Sequence, residues 1–134
     1  MHVVGHKYMY RWHKVHHEWK VPHALSTTHS DPFDYFIGTV MPFAIGPAIL
    51  GSQIHYLTFA YWSIWRMSEA FSNHCNYEFD WSVFRIVPIS AGADYHSFHH
   101  THNIGNYGSF MTLQDTMTDS NHEYYKYVGS RFVD

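Results

Sequence analysis

The sequence has little cysteine and few charged side chains. Cys75 is the one cysteine among 134 residues, so no disulfide can form within the chain and a cysteine-rich zinc site is excluded. Charged residues make up 14% of the chain, whereas roughly a quarter is usual in soluble domains. The net charge is -3 and no basic or acidic run occurs. Nucleic acid is therefore not an expected partner, because phosphate binding needs clustered Lys and Arg.

The first residues do not predict a signal peptide, because they contain neither an apolar core nor a small-residue cleavage site. The chain instead begins within a histidine-rich stretch, with His2 and His6 close to Met1. We therefore expect that upstream sequence is missing and that the chain is truncated at its N-terminus. The length suits a single domain over residues 1–134.

Two uncharged apolar segments occupy the middle of the chain. The first covers residues 35–51 and the second covers residues 54–65. Each is somewhat shorter than the roughly 20 residues of a membrane-spanning helix, and Tyr and Trp gather along the second, as they do near lipid headgroups. We predict an all-α fold, in which an integral membrane helical hairpin over about 35–67 carries a histidine-rich helical cap. The alternative is a buried hairpin in a soluble helical protein.

The pattern His-x-x-His-His occurs twice. One copy lies in residues 7–20, which contain no Pro or Gly and predict a helix, and the other lies in a second predicted helix over about 94–102. Positions i, i+3 and i+4 of a helix share one face, so each copy presents three imidazoles to one side. The copies consist of His13, His16 and His17, and of His96, His99 and His100.

The repeated histidine pattern predicts a metal centre, because neutral imidazole is the commonest nitrogen ligand of transition metals. Two facing copies supply six nitrogens, and His74 with one or both of His2 and His6 raises the total to eight or nine. One ion offers about six positions, so the sequence predicts two ions. A structural zinc needs only four ligands, and soluble di-iron bundles use Glu, so an almost all-nitrogen set suits redox iron and dioxygen. The predicted ligands are His2, His6, His13, His16, His17, His74, His96, His99 and His100.

Carboxylates near these histidines are few. A metal-bound imidazole usually donates its other ring N–H to a partner, and Glu18, Asp94 and Asp115 are the candidates for that role. The remaining histidines lack the repeated spacing, and we treat them as surrounding or incidental residues: His23, His29, His55, His102 and His122.

Four stretches carry a resemblance to a known family: "HKVHHEW" from His13, "HCNYEFDW" from His74, "AGADYHSFHHTHNIGNYGSF" from Ala91 and "TDSNHEYYKY" from Thr118. Together they resemble the fatty acid hydroxylase/sterol desaturase superfamily, and within it the 4-methylsterol monooxygenases most closely. The resemblance covers the chain from about His2 to Tyr127.

The resemblance implies a multi-pass membrane enzyme of the endoplasmic reticulum whose metal site faces the cytosol. It implies two non-haem irons in a histidine cluster, dioxygen as co-substrate, and electrons from NAD(P)H delivered by cytochrome b5 and its reductase. The implied reaction oxidises an unactivated C–H bond of a sterol, as in the 4-methyl group of a sterol intermediate. No protein group beyond the metal ligands is implied in the chemistry.

Several departures leave alternatives open. The family's first histidine motif is either "HVVGH" from His2 or a motif that begins upstream of Met1 and ends at His2. Asp31 and Tyr95 stand where the family often has histidine. The alternatives are a sterol desaturase or fatty-acyl hydroxylase of the same superfamily, a truncated non-catalytic metal-binding relative, and a soluble zinc-binding helical module.

Overall fold

A computed structural model describes residues 2–84, 86, 87 and 89–131 of the chain. Within these residues the regular structure is helical, apart from an isolated antiparallel bridge between Ser90 and Met111, and the predicted all-α class is confirmed for them. The α-helices are α1 (His2–Tyr8), α2 (Tyr10–His13), α3 (Pro32–Tyr35), α4 (Met41–Leu50), α5 (Tyr56–His74), α6 (Ala93–His102), α7 (Leu113–Thr118) and α8 (His122–Ser130). Tighter 3₁₀ turns cover His16–Glu18, Ala24–Thr28 and Gly51–Gln53, and a π-helical turn covers Phe36–Val40.

The continuous helix predicted over residues 7–20 is wrong. The chain forms α1 and α2 with an interruption at Met9, then a 3₁₀ turn, and it becomes extended at Trp19. In the turn, the amide of Glu18 donates to the carbonyl of Val15, three residues back. Isolated short helices are marginal in water, so the packing of the buried histidines determines the backbone here. The second predicted helix, over about 94–102, corresponds to α6, Ala93–His102.

A long apolar helix covers Pro32–Gln53 and consists of α3, the π-helical turn, α4 and a final 3₁₀ turn. Asp31 caps its start by accepting a hydrogen bond from the amide of Phe33 at 2.9 Å, and Pro32 occupies the first helical turn, where its missing N–H costs nothing. Gly51, with φ of 53°, ends α4. Among the described residues this is the one helix long and apolar enough to cross a membrane, and none of its apolar window is buried.

Helix α5 follows the long helix in the chain and contacts it through aromatic rings. Phe43 of α4 contacts Trp62 of α5, with 4.5 Å between ring centroids. The C-terminal half of α5 carries Arg66 and Glu69, and α5 is long enough but not apolar enough to count as a membrane-spanning helix. The membrane hairpin over about 35–67 therefore stays a prediction.

The described part of the chain is polar inside and apolar outside. Its buried apolar side chains are small or few, including Ala91, Ala93, Tyr95 and Phe98, whereas histidines dominate the fully buried set. Large apolar residues on the long helix are exposed, among them Phe36 and Ile49. Contiguous exposed apolar surface of this kind is typical of a membrane or protein interface, so the location of the apolar residues favours association with a membrane.

Asp115 of α7 organises the segment that follows α6. It is fully buried, and its carboxylate accepts four hydrogen bonds. The donors are the hydroxyl of Tyr95 at 2.8 Å, the amides of Tyr107 at 2.9 Å and Gly108 at 2.7 Å, and the hydroxyl of Ser120 at 2.6 Å. One carboxylate therefore connects α6, the 105–108 loop and the end of α7.

We expect Asp115→Asn to lower the thermal midpoint of the detergent-purified protein. The amide replaces one acceptor oxygen by a donor that faces existing donors, at a cost of roughly 2–4 kcal/mol. The matched control is Asp119→Asn, the same chemical change at an exposed residue with φ of 53°, a conformation that Asn adopts readily. Equal midpoints for the two variants would contradict the role given to Asp115.

Candidate metal centre

The structure brings all nine histidines singled out in the sequence into two adjoining groups. Within each group, the candidate ligand atoms lie within 4.8 Å of one another. The first histidine group consists of His2, His6, His13, His17 and His99, and the second consists of His16, His74, His96 and His100. His2 and His6 of α1 both join the first group, which fits the interpretation of "HVVGH" as one complete motif.

The two groups explain why the His-x-x-His-His pattern is repeated. In the first copy, His13 and His17, at i and i+4, join the first group while His16 points to the second. In the second copy, on α6, the arrangement is exchanged, and His99 alone joins the first group. Each copy therefore contributes a pair to one group and a single imidazole to the other, which joins the N-terminal segment to α6 through both groups.

Four of the histidines are oriented through their Nδ1 atoms. Nδ1 of His13 lies 3.0 Å from both carboxylate oxygens of Asp34. The Nδ1 atoms of three others lie near backbone carbonyls: His16 at 3.2 Å from His29, His74 at 2.9 Å from Ala70, and His99 at 2.6 Å from Gly105. Carboxylate and carbonyl oxygens only accept hydrogen bonds, so Nδ1 carries the proton, and in the neutral ring Nε2 carries a lone pair.

These Nε2 lone pairs converge on one another. Nε2 of His16 lies 3.3 Å from Nε2 of His74, and Nε2 of His99 lies 3.0 to 3.2 Å from those of His2, His6 and His17. Two acceptor nitrogens cannot hydrogen-bond to each other, so between His16 and His74 the contact calls for a cation.

Burial keeps these imidazoles neutral. It is the largest cause that lowers the pKa of His16 and of His99 to about 3, and that of His6 and of His74 to about 4, and neighbouring imidazoles lower the values for the first three further. The pKa values of His2, His17, His96 and His100 are lowered by the same two causes. Neutral imidazole is the form that binds metal, and the residues present therefore fit a metal centre.

The carboxylate that contacts a histidine of the cluster is Asp34, and the three candidates from the sequence, Glu18, Asp94 and Asp115, have other partners. Asp34 orients His13, whereas Asp115 binds Tyr95 and the 105–108 loop, and Asp94 accepts from the hydroxyl of Tyr124 at 3.0 Å. Glu18 is linked to the cluster through His29. Its carboxylate lies 2.9 Å from Nε2 of His29, and the backbone carbonyl of His29 accepts a hydrogen bond from Nδ1 of His16. The sequence signal for Asp34 is a single charge directly before the apolar segment at 35–51.

A cavity of about 250 Å³ adjoins the histidines. Its inner end is lined by histidines of both groups, including His13 and His74. Its outer part lies between the long apolar helix and α5, where Gly38 and Trp62 line it. The cavity therefore leads from the helix with exposed apolar residues to the metal centre.

The fatty acid hydroxylase family model matches residues 1–120. The chain is 33% identical over 111 residues to methylsterol monooxygenase erg25B of Aspergillus fumigatus, covering 81% of this chain and 37% of the relative. It is 33% identical over 118 residues to methylsterol monooxygenase 2-2 of Arabidopsis thaliana, covering 84% and 43%. It is also 31% identical over 123 residues to very-long-chain aldehyde decarbonylase GL1-11 of Oryza sativa, covering 88% and 45%.

The chain spans about two fifths of the length of these relatives. No solved structure matches it significantly. The match over residues 1–120, together with the identity to curated relatives across most of the chain, shows that this protein belongs to the fatty acid hydroxylase family.

Proposed function

We propose that this chain carries the catalytic centre of a membrane-bound non-haem di-iron oxygenase that oxidises an unactivated C–H bond of a sterol. The observation that carries the proposal is the convergence of neutral imidazole nitrogens in two histidine groups, since neutral imidazole is the form that binds transition metals. The proposed reacting position is the 4-methyl group of a sterol intermediate, supported by the methylsterol monooxygenases among the relatives.

Two ions follow from the number of ligands. Five histidines in one group and four in the other exceed the six positions of a single ion and match one ion per group. When bound, iron would supply the one-electron chemistry that activates dioxygen. The nine histidines are the proposed iron ligands, and Asp34 would hold His13 in the tautomer that presents Nε2 to the ion.

The surroundings of the centre support a lipid substrate. The cavity is lined by buried histidines and by residues of the long apolar helix, whose exposed apolar residues face a bilayer in this proposal. We place the protein in the endoplasmic reticulum membrane as a multi-pass protein with its histidines on the cytosolic side. Electrons would come from NAD(P)H through cytochrome b5 and its reductase.

The two departures from the family pattern are compatible with catalysis. Asp31 caps the long helix, and Tyr95 is buried with its hydroxyl on Asp115. Neither contact involves the nine histidines, so a truncated non-catalytic relative is the weaker interpretation. A second candidate is oxidation of a fatty-acyl chain or long aldehyde, favoured by the 31% identity to the aldehyde decarbonylase. Sterol desaturation keeps the same centre and differs in product.

We expect His16→Ala and His99→Ala each to lose about one iron of two per chain and at least about 100-fold in sterol turnover. Each variant removes a ligand from a different histidine group, and loss of a metal ligand is severely disruptive. Iron per chain is measured by elemental analysis of the detergent-purified protein. His122→Ala, outside both groups and exposed, is the control. Full iron content and full turnover in either cluster variant would refute the assignment.

We expect Asp34→Asn to weaken iron binding by roughly 10- to 100-fold, the usual effect of losing a hydrogen-bond partner of a metal-bound histidine. The matched control is Asp31→Asn, three residues away in sequence, because Asn caps helices as well as Asp does and Asp31 does not contact His13. Competition with a chelator of known affinity measures the change. Equal affinity in the two variants would remove Asp34 from the site.

Metal removal should make stability depend on pH. Unfolded histidines take up protons near their ordinary pKa of 6.5, whereas folded His16 and His74 resist protonation to about 3 and about 4. Below pH 6.5 the unfolded state therefore binds more protons, and stability falls as pH falls, by up to about 1.4 kcal/mol per pH unit for each histidine. Thermal midpoints of iron-free protein should drop between about pH 7 and about pH 5. A constant midpoint would contradict the burial of neutral histidines.

A further inference from the structure

One face of the long apolar helix leads away from the metal centre. Asp34, Gly38 and Pro42, at i, i+4 and i+8, all line the cavity, and Asp34 contacts His13. At the rise of an α-helix, eight residues extend roughly 12 Å. The cavity therefore follows this helix outward from the histidines, and Gly38 lies midway along it.

Gly38 leaves space that no other side chain fills. It lies within the π-helical turn Phe36–Val40, a backbone feature that occurs frequently at functional sites. A Cβ atom added to Gly38 would meet no atom within 4 Å. The same holds for Gly46, further along the same helix, but Gly46 does not line the cavity. Close helix packing therefore does not explain the glycine at position 38, which is exposed and differs from Gly46 in lining the cavity.

The rest of the lining suits a flat apolar body with a neutral polar group. Phe43 and Trp62 form an aromatic wall, with ring planes 31° apart. Hydroxyls of Thr27, Thr28 and Thr39 add polar atoms without charge.

Among the described residues that line the cavity, Arg66 is the one Arg or Lys side chain, and it pairs with the buried Glu69, with 2.5 Å between Nη1 of Arg66 and Oε2 of Glu69. Burial raises the pKa of Glu69 to about 7 and Arg66 opposes that rise, so above pH 7 the pair is neutral overall. An anionic headgroup therefore finds no free Arg or Lys charge among the described lining residues. The hydroxyls of Thr27 and Thr28 donate to backbone carbonyls, and their oxygens can accept a hydrogen bond from an alcohol.

The size of the cavity limits how much of a lipid enters. Its volume of about 250 Å³ is below the roughly 300–1,000 Å³ of pockets that enclose a drug-sized ligand. A sterol would therefore place one end beside the histidines, and its remainder would extend out between the helices.

We propose that this cavity binds the hydroxyl-bearing ring end of a sterol, and that Gly38 determines this specificity by leaving room for a rigid ring system. The inference rests on the proposed function, because it takes the lipid in the cavity to be the substrate of the histidine centre. A slimmer, flexible chain would depend less on the space at Gly38.

The test compares Gly38→Ala, Gly38→Leu and the matched control Gly46→Leu in the full chain, reconstituted in lipid nanodiscs above pH 7. All three changes remove a helix glycine and raise helix propensity alike. The probes are a radiolabelled 4-methylsterol and a radiolabelled very-long-chain aldehyde, and iron per chain is measured on the same samples. We expect Gly38→Leu to keep its iron, to weaken sterol binding at least tenfold and to weaken aldehyde binding much less. Gly38→Ala should show a smaller loss for the sterol, and Gly46→Leu should match the unsubstituted protein.

Three outcomes would overturn the inference. Unchanged sterol binding in Gly38→Leu would show that the cavity is not where the sterol lies. An equal loss for sterol and aldehyde would remove the role of Gly38 in specificity, and an equal loss in Gly46→Leu would indicate a general effect on the helix. Failure of the proposed function is seen separately, as unsubstituted protein that holds no iron or that binds the sterol without oxidising it.

Discussion

The structure depends on the close packing of neutral imidazoles whose ring nitrogens converge in two groups. His16, His74 and His99 are committed at Nδ1 to carbonyl oxygens, and His13 is committed to Asp34, so their Nε2 atoms are available only as acceptors. The Nε2 atoms of His16 and His74 lie 3.3 Å apart, and two acceptors at that distance repel unless a cation lies between them. Protonation offers no relief, because burial disfavours charge on rings without a counter-ion. Metal binding is therefore the arrangement that makes this interior stable.

The same constraint accounts for the small apolar core. The segments that meet at the centre are short, and α1, α2 and the 3₁₀ turn at His16–Glu18 would be marginal alone. Bonds to a shared ion would contribute the stability that a larger soluble domain obtains from buried apolar area. Large apolar side chains are instead exposed at the surface, where Phe36 and Ile49 lie on a helix of membrane-spanning length.

Asp34 and Asp115 connect the centre to the rest of the chain. Asp34 belongs to the start of the long apolar helix and holds His13, so the position of that helix is coupled to the first histidine group. Asp115 holds the loop after α6, and the carbonyl of Gly105, just before that loop's bound amides, orients His99. Gly105 has φ of 57°, a conformation that favours glycine. Both carboxylates act through position, at a distance from the reacting atoms.

The sequence by itself determined the helical class of the described residues, the nine histidines that converge and the family, because residue types and the repeated histidine motif carry those properties locally. Only the tertiary structure decided how the histidines divide into two groups, that Asp34 and not Glu18, Asp94 or Asp115 orients His13, and that residues 7–20 break into short turns. These depend on contacts between residues far apart in the chain, such as His17 with His99, whose 82-residue separation no local pattern encodes.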